Sequence, residues 1–171
     1  MNKRIKKFNQ IEAVLESLVG AGVRHVGGDR LLVSTDNRVV CIVDDDADVT
    51  VLFHDALQNV VGITIFTFTD PIKALEHFQV NEHAYVVVIC DFEMPGLNGI
   101  EFLKKIKDSN PFVRTILMTA FEIENRIFRE YTKRKIINAF IQKPIGLHDL
   151  IKEVNTQLEY YEQQKKYPSS G

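Results

Sequence analysis

The sequence is poor in cysteine, has no long apolar run and carries little net charge, and each deficit narrows the class of protein. Its two cysteines, Cys41 and Cys90, lie inside apolar, strand-like runs, where a free cysteine behaves as a small buried hydrophobe. We therefore expect reduced core cysteines and no disulfide. No stretch of about 18 apolar residues occurs, so no transmembrane helix is expected. The net charge of −2 gives no overall case for binding nucleic acid or a membrane.

The amino terminus is basic but lacks the pattern of a secretion signal. Residues 1–38 carry seven Lys and Arg against four Asp and Glu, whereas residues 39–171 carry fourteen against nineteen. The run Lys3–Lys7 resembles the positive start of a signal peptide, but polar residues interrupt the apolar segment that would have to follow it. We therefore predict a cytoplasmic protein.

The 171 residues suffice for one ordinary domain with extensions, and 45% hydrophobic with 26% charged residues is typical of a soluble globular protein. From residue 39 onward, five short apolar runs occur that are continuous and rich in β-branched residues. This pattern predicts parallel strands buried on both faces. The runs are Val39–Val43, Ile63–Phe68, Tyr85–Cys90, Thr115–Met118 and Ala139–Ile141.

Segments with helical periodicity separate these runs. The first helix is predicted to bury residues spaced three and four apart, namely Val49, Leu52, Phe53, Ala56, Leu57 and Val60. Asp70-Pro71 predicts the start of the second helix, because Asp is a good N-cap and Pro fits the first helical position. The buried stripe of the third helix is predicted to be Ile100, Leu103 and Ile106. The fourth and fifth helices are predicted over residues 122–134 and 147–164.

Five strands that alternate with five helices imply parallel βαβ units with right-handed crossovers. We expect an α/β fold, a three-layer sandwich whose ligand site lies at the carboxyl ends of the strands. This domain is predicted over residues 39–165. Residues 1–38 are predicted to form an extension, an amphipathic helix followed by a loop, and residues 166–171 a disordered tail.

Chemistry-bearing side chains follow four of the predicted strands. Asp44 and Asp45 follow the first strand, Asp91 the third, Thr119 the fourth and Lys143 the fifth. Carboxylates gathered at one edge would repel one another unless a cation intervened, and Mg²⁺ suits a small set of oxygen ligands that leaves room for water and a phosphoryl oxygen. With a mobile ammonium and a hydroxyl opposite, this set predicts a phosphoryl-binding pocket with a nucleophilic carboxylate. Asp46 and Asp48 are interpreted as caps of the first helix.

A family resemblance follows from four segments in chain order: Cys41–Asp46, Val88–Gly99, Ile116–Ala120 and Phe140–Pro144. Over roughly residues 39–160, they resemble the receiver domain of two-component response regulators. This family includes chemotaxis-type proteins that consist of a single receiver domain. The resemblance implies a flavodoxin-like (βα)5 sandwich with parallel sheet order 2-1-3-4-5.

The resemblance also implies a role for each residue of the pocket. It implies that Asp91 is the phosphoacceptor, that Asp45 binds Mg²⁺ directly and that Asp44 holds the metal through water. The third protein oxygen on the metal would be the backbone carbonyl of Glu93. Lys143 would pair with the phosphoryl group and with the acceptor carboxylate.

Four further residues match the conformational parts of the family. Thr119 resembles the switch hydroxyl, and Phe140 stands at the aromatic switch position. Gly96 and Gly99 match the tight turn that enters the third helix, where a side chain would obstruct the loop.

The function that the resemblance implies is a phosphorylation switch and not an enzyme with a separate substrate. A sensor histidine kinase or phosphotransfer protein would donate the phosphoryl group, and the switch would catalyse its own phosphorylation and dephosphorylation. A downstream protein would then read the face made by the fourth helix, the fifth strand and the fifth helix.

Two other functions remain as alternatives at this point. An aspartyl-nucleophile phosphatase of the haloacid-dehalogenase type would want a second aspartate two residues after the first, where Glu93 stands instead. A transcription regulator would use the basic residues 1–38 to bind DNA, with strongly salt-dependent affinity.

Four features depart from the family pattern or add to it. The Glu93 carboxylate is interpreted either as an influence on the attacking water or as a solvated loop residue. The positive charge near the fourth helix is interpreted either as a solvated face or as a docking patch; it comes from Arg126, Arg129, Lys133, Arg134 and Lys135. The segment Glu159–Glu162 is compatible both with a homodimer contact and with solvated helical turns. The segment Ile136–Ala139 stands where the family usually has a Gly-Ala pair.

Overall fold

The structure, a computed structural model, describes residues 38–121 and 126–167. In these residues strands and helices alternate. The strands are β1 (Val39–Val43), β2 (Thr64–Phe68), β3 (Tyr85–Asp91), β4 (Arg114–Thr119) and β5 (Ala139–Gln142). The helices are α1 (Ala47–Leu57), α2 (Pro71–Asn81), α3 (Gly99–Ser109), α4 (Arg126–Lys133) and α5 (Leu147–Lys166). The predictions for residues 1–37 and for the tail from residue 168 lie outside the described residues.

The five strands form one parallel sheet in the order β2-β1-β3-β4-β5, as the sequence predicted. Strand β1 therefore lies between β2 and β3, and β4 lies between β3 and β5. Backbone partners such as Val43 and Cys90 bring the carboxyl ends of β1 and β3 side by side. Asp91 and Met118 do the same for β3 and β4. The order of the strands is what gathers the predicted site.

Helices cover both faces of the sheet and complete three layers. Helices α2, α3 and α4 pack on one face, where Phe78, Leu103 and Phe128 are buried. Helices α1 and α5 pack on the other face, where Phe53 and Leu158 are buried. Every residue of β1 and of β3 is buried, as expected for central strands covered on both sides.

Helix starts follow the predicted capping rules. The side chain of Asp46 accepts a hydrogen bond from the backbone N–H of Asp48 at the start of α1. Asp70 accepts one from the N–H of Ile72, with Pro71 as the first residue of α2. Asp46 is thus the N-cap, while Asp48 lies in the first turn, where a negative charge favours the positive end of the helix dipole.

Two details differ from the prediction. Leu52 is 49% exposed, so its assignment to the buried face of α1 was wrong; Thr50 takes a buried place instead. The cause is that the buried stripe of α1 is narrow, centred on Phe53 and Leu57. Helix α5 continues to Lys166, two residues beyond the predicted end and one residue into the predicted tail.

The structure can be compared with the two expectations that concerned cysteines and membrane spans. Cys41 and Cys90 are both buried and unpaired, which confirms the prediction of free core cysteines. Among the described residues, no helix is both long enough and apolar enough to cross a membrane.

Candidate functional site

The carboxyl edge of the sheet brings the predicted site residues together. Asp44 follows the last residue of β1, Asp91 ends β3 and Thr119 ends β4. The carboxyl ends of parallel strands lie at the same edge, so neighbouring strands deliver these side chains to one place. Asp44, Asp91 and Thr119 are almost fully buried, at 1%, 7% and 1% exposure, while Asp45 is exposed.

Three carboxylates form a cluster able to hold a metal ion. One carboxylate oxygen from each of Asp44, Asp45 and Asp91 lies within 4.8 Å of the others. The Asp44 Oδ1 atom also accepts a hydrogen bond of 3.0 Å from the backbone N–H of Asp46, which fixes its orientation. Two buried carboxylates and one exposed carboxylate suit a hard cation that keeps part of its water shell, as Mg²⁺ does.

Lys143, which follows the edge strand β5, also contacts this cluster. Its Nζ atom lies 2.8 Å from Oδ1 of Asp91 and 2.9 Å from Oδ2 of Asp44. Burial alone would lower the pKa of Lys143, but its hydrogen bonds to Asp91 and Asp44 outweigh that effect, so its pKa is raised. The ammonium is therefore held charged beside both carboxylates.

The pKa of Asp91 is set by opposing effects. Burial raises the pKa above its usual value because the charged form loses its hydration. The hydrogen bond and the charge of Lys143 act in the opposite direction, while the nearby charge of Asp44 raises the pKa further. Asp91 is thus a carboxylate whose ionised form depends on its cationic neighbour.

Thr119 is held at the end of β4 by its own loop. Its hydroxyl oxygen accepts a hydrogen bond of 3.0 Å from the backbone N–H of Phe121. Its carbonyl accepts one of 2.8 Å from the backbone N–H of Lys143. Thr119 therefore connects the loop after β4 with the residue that carries the ammonium.

The loop after Asp91 requires glycine at both predicted positions, for two different reasons. Gly99 has no space for a side chain, and Gly96 has a backbone conformation that favours glycine. A Cβ atom on Gly99 would lie 2.1 Å from the backbone oxygen of Asp91, a distance that no side chain tolerates. Gly96 has open space around it but adopts φ +81°, a conformation that favours glycine. The side chain of Glu93, which precedes both glycines, is exposed.

A chain of aromatic rings connects this loop with Phe140, and the sequence analysis did not find it. Phe92 directly follows Asp91, and its ring centroid lies 5.7 Å from that of Phe121 and 5.6 Å from that of Phe128. Phe128 in turn lies 5.4 Å from Phe140. All three contacts are edge-to-face, a favourable geometry for aromatic pairs. The sequence shows the four phenylalanines, but it does not show that their rings meet, because these contacts depend on the packing of α4.

The segment before Phe140 replaces the usual Gly-Ala pair with a hydrogen-bonded anchor. The side-chain oxygen of Asn138 accepts hydrogen bonds from the N–H of Thr115 at 2.9 Å and from its hydroxyl at 3.1 Å. The hydroxyl of Thr115 also lies 2.6 Å from the carbonyl oxygen of Ile136. These contacts attach the start of β5 to β4. Lys135 adopts φ +57° where the chain leaves α4.

On the α4–β5–α5 face, some of the charged and aromatic residues are exposed and others are buried. Arg129, Lys133, Arg134 and Lys135 are exposed, and Arg134 forms an i,i+4 ion pair with Glu130 at 3.6 Å. Such exposed pairs contribute little to stability. Tyr161 is 7% exposed and packs in the core, whereas Tyr160 beside it is 48% exposed, and a dimer contact through Glu159–Glu162 stays a prediction.

Comparison with known proteins assigns the family. Residues 40–155, more than half of the chain, match the model of the response regulator receiver domain. The chain therefore belongs to the response regulator receiver family of two-component signalling systems. Receiver domains are phosphoacceptor switches, and the acidic cluster at the sheet edge is compatible with the metal binding of that family.

Two relatives that match the chain are larger proteins. The chain is 27% identical over 128 residues to the DNA-binding transcriptional regulator NtrC of Escherichia coli K12, a match covering 75% of this chain and 26% of the relative. It is 37% identical over 86 residues to the transcriptional regulatory protein ZraR of the same strain, covering 50% and 19%. The chain thus spans about a quarter or less of these two relatives.

A solved receiver domain from Clostridium thermocellum has the same fold. It superimposes with a TM-score of 0.65 at 23% identity, covering 74% of this chain and 98% of the other. This likeness supports the fold alone and agrees with the sheet order of the structure.

Proposed function

We propose that this chain is a phosphorylation switch in which Asp91 accepts a phosphoryl group from the phosphohistidine of a sensor kinase or phosphotransfer protein. The observation that carries the proposal is the position of Lys143. Its ammonium contacts both Asp91 and Asp44, while the carboxylate of Asp45 lies within 4.8 Å of both acids. A nucleophilic carboxylate, a cation and a metal-ligand cluster thus meet at one point.

The chemistry asked of Asp91 is a displacement at phosphorus. A carboxylate oxygen of Asp91 forms a bond to phosphorus as the bond to the imidazole nitrogen breaks, and that nitrogen keeps the electron pair and takes up a proton. The product is an acyl phosphate. Water later attacks the phosphorus, releases inorganic phosphate and restores the carboxylate. Catalysis therefore consists mainly of positioning and charge stabilisation.

Each neighbour of Asp91 has a defined part in this proposal. Lys143 loses its contact with a free carboxylate and gains one with the phosphoryl oxygens, since it already lies 2.8 Å from Asp91. Asp45 would hold Mg²⁺ directly and Asp44 through water, with the backbone carbonyl of Glu93 as a further ligand. When bound, Mg²⁺ supplies positive charge that offsets the charge on the phosphoryl oxygens.

Phosphorylation would change the α4–β5–α5 face through Thr119 and Phe140. The new group carries close to two negative charges in place of the single charge of the carboxylate, and it brings three acceptor oxygens. The hydroxyl of Thr119, which now accepts from the Phe121 N–H, would turn to donate to a phosphoryl oxygen. Phe140 lacks a hydroxyl, so its position depends on packing against Phe128. A downstream protein would distinguish the two arrangements of this face.

The first experiment tests the acceptor. Purified protein is incubated with Mg²⁺ and a small acyl phosphate donor, and its intact mass is compared with that of Asp91→Asn. We expect the wild type to gain one phosphoryl group, and expect no gain in Asp91→Asn or in wild type treated with a chelator. Equal labelling of wild type and Asp91→Asn would refute the assignment.

A neighbouring carboxylate provides the matched control. Asp46→Asn removes a charge two residues from Asp44 but keeps the helix cap, because Asn caps as well as Asp. We expect Asp46→Asn to be labelled like the wild type. A loss of labelling in both Asp46→Asn and Asp91→Asn would mean that general loss of negative charge, and not the loss of one acceptor, explains the result.

A further inference from the structure

A second site of distinct chemistry lies at the opposite end of the sheet from Asp91. A cleft of about 460 Å³ opens between α3, the start of β4, the loop before β5 and the end of α5. Arg114, the first residue of β4, lines it, whereas Thr119 ends the same strand at the carboxylate site. The length of β4, roughly 17 Å, therefore separates the two sites.

Three cations from three different segments line this cleft. They are Lys107 of α3, Arg114 of β4 and Lys135 of the connection before β5. The other lining residues are Pro111, Asn138, Tyr160, Gln163, Gln164 and Tyr167, so none of the carboxylates that the structure describes lines the cleft. Within residues 38–121 and 126–167, none of the three cations forms an ion pair. The cleft thus has a concentration of positive charge without a direct counterion.

Arg114 is held in place by neutral groups. Its Nε atom donates to Oε1 of Gln157 at 2.8 Å, and a second guanidinium nitrogen donates to Oε1 of Gln164 at 3.4 Å. Its guanidinium also lies over the ring of Tyr160, 5.3 Å from the centroid. The carboxylate of Glu153, whose charge acts on Arg114 without a hydrogen bond to it, instead accepts from Gln157 at 2.7 Å. The guanidinium is oriented, but its charge is not neutralised by a bonded carboxylate.

Lys107 shows the effect of this surplus charge. Its Nζ atom donates to the carbonyl oxygen of Pro111 at 3.1 Å, another neutral partner. Burial, with the charges of Arg114 and Lys135 acting in the same direction, lowers the pKa of Lys107 to about 8. An anion placed among the three cations would relieve this repulsion.

We propose that this cleft binds a phosphate monoester of a small organic molecule, with Lys107, Arg114 and Lys135 around the phosphate. Several cations that include a guanidinium suit a dianion with multiple acceptor oxygens better than a single carboxylate. The volume lies within the range of roughly 300–1,000 Å³ typical of small-molecule sites, so it accommodates more than an inorganic ion. Tyr160 and Tyr167 provide aromatic surface for the organic part.

The test is a calorimetric titration of the full chain with three probes: adenosine monophosphate, ribose 5-phosphate and inorganic phosphate. A chelator is present throughout, so that no metal-bound phosphate forms at the carboxylate site. We expect saturable binding of at least one ester, and weaker or absent binding of inorganic phosphate. Adenosine, which has the ring but not the phosphate, should not bind.

Variants then assign the binding to this cleft. Lys135→Asn removes one charge at an exposed position whose φ of +57° suits asparagine, so folding should be retained. Lys107→Gln removes a second charge, and each variant should weaken binding of the ester about tenfold or more. Lys104→Gln, on the exposed side of α3, is the matched control and should bind like the wild type.

Several outcomes would overturn the proposal. One is the absence of saturable binding of both esters at millimolar concentration. A second is equal affinity in the wild type, Lys107→Gln and Lys135→Asn. A third is equal affinity for inorganic phosphate and the esters, which would leave the organic part without a role. Tighter binding of a short oligonucleotide by the same residues would replace the small ligand with nucleic acid.

Discussion

Lys143 Nζ lies 2.8 Å from Asp91 Oδ1, although Lys143 follows β5 and Asp91 ends β3, two strands that are not neighbours in the sheet. Strand β4 lies between them, so the lysine has to reach across its end. This contact makes the ionisation of Asp91 depend on Lys143. The reactivity of the carboxylate and its pKa should therefore change together when the lysine is replaced.

Replacing Lys143 with glutamine should raise the pKa of Asp91 further. Burial already raises it, and Lys143 provides the main opposing effect, so removing the positive charge favours the protonated acid. Labelling by a small phosphoryl donor should also slow by roughly 100-fold, the usual effect of losing one charge-stabilising group. Carboxyl-carbon NMR titration and intact mass measure the two effects. Lys152→Gln, on the exposed side of α5, should change neither. An unchanged or lower pKa of Asp91 in Lys143→Gln would contradict this account.

Gly99→Ala should destabilise the fold because its Cβ has no space. The added carbon would lie 2.1 Å from the backbone oxygen of Asp91, so the loop that follows Asp91 or helix α3 has to move, at a cost of about 3 kcal/mol in the free energy of unfolding. In Gly146→Ala, the new carbon meets only the end of the exposed Asp149 side chain at 3.3 Å, and we expect a loss of about 0.5 kcal/mol. Urea unfolding compares the two. Equal losses would show that the approach to Asp91 is not the cause.

The contact between Phe92 and Phe128 should appear as an energetic coupling. Their rings meet edge-to-face with centroids 5.6 Å apart, a geometry that contributes about 1 kcal/mol beyond the burial of area. A double-mutant cycle with Phe92→Leu and Phe128→Leu, measured by urea unfolding, should give a coupling of that size. The control cycle pairs Phe128→Leu with Phe112→Leu, a half-exposed residue in the loop before β4, and should be additive. Additivity in the first cycle would mean that the ring contact adds nothing specific.

His77 should make the fold less stable in mild acid. Its Nδ1 atom hydrogen-bonds the hydroxyl of Tyr85 at 2.5 Å, and its ring packs against Phe66 and Phe68. Burial lowers the pKa of His77 below its usual value, so the unfolded chain binds a proton more readily than the folded one. The contribution of neutral His77 is therefore complete above about pH 6.5 and decreases as the pH falls toward the lowered pKa.

Two glutamine variants isolate this effect. His77→Gln should reduce the loss of stability between about pH 7.5 and about pH 5, measured by urea unfolding. His83→Gln should leave it unchanged, because the side chain of His83 is 95% exposed. The idea fails if both variants have the same pH dependence as the wild type.

Most of the architecture could be predicted from short-range patterns. The continuous apolar runs predicted all five strands within a residue or two, and Asp70-Pro71 predicted the start of α2. The buried stripe of α3, Ile100, Leu103 and Ile106, was also correct. Such features depend on periodicity and capping, which are local properties of the chain. Leu52 shows the limit of such patterns, because helical spacing does not indicate how many residues around a helix are covered by the sheet.

The contacts that shape the site and its surroundings could not be predicted in the same way. The Asn138–Thr115 hydrogen bonds, the Phe92–Phe128–Phe140 rings and the cations around Arg114 all join residues far apart in the sequence. Their partners are selected only when α4 and α5 pack on the sheet. Tyr161 is an example, since only packing distinguishes this buried tyrosine from its exposed neighbour Tyr160.

The sequence by itself determined that acids, a hydroxyl and a lysine lie at the ends of buried parallel strands. The reason is that the length and polarity of a strand depend on neighbouring residues in the chain. The folded sheet decided which of their atoms meet: Lys143 with both Asp44 and Asp91, and Asp45 at the exposed side of the cluster. The physical reason is that an ion pair needs contact within a few ångströms. Such precision comes from the strand order, the twist of the sheet and the packing of the helices together.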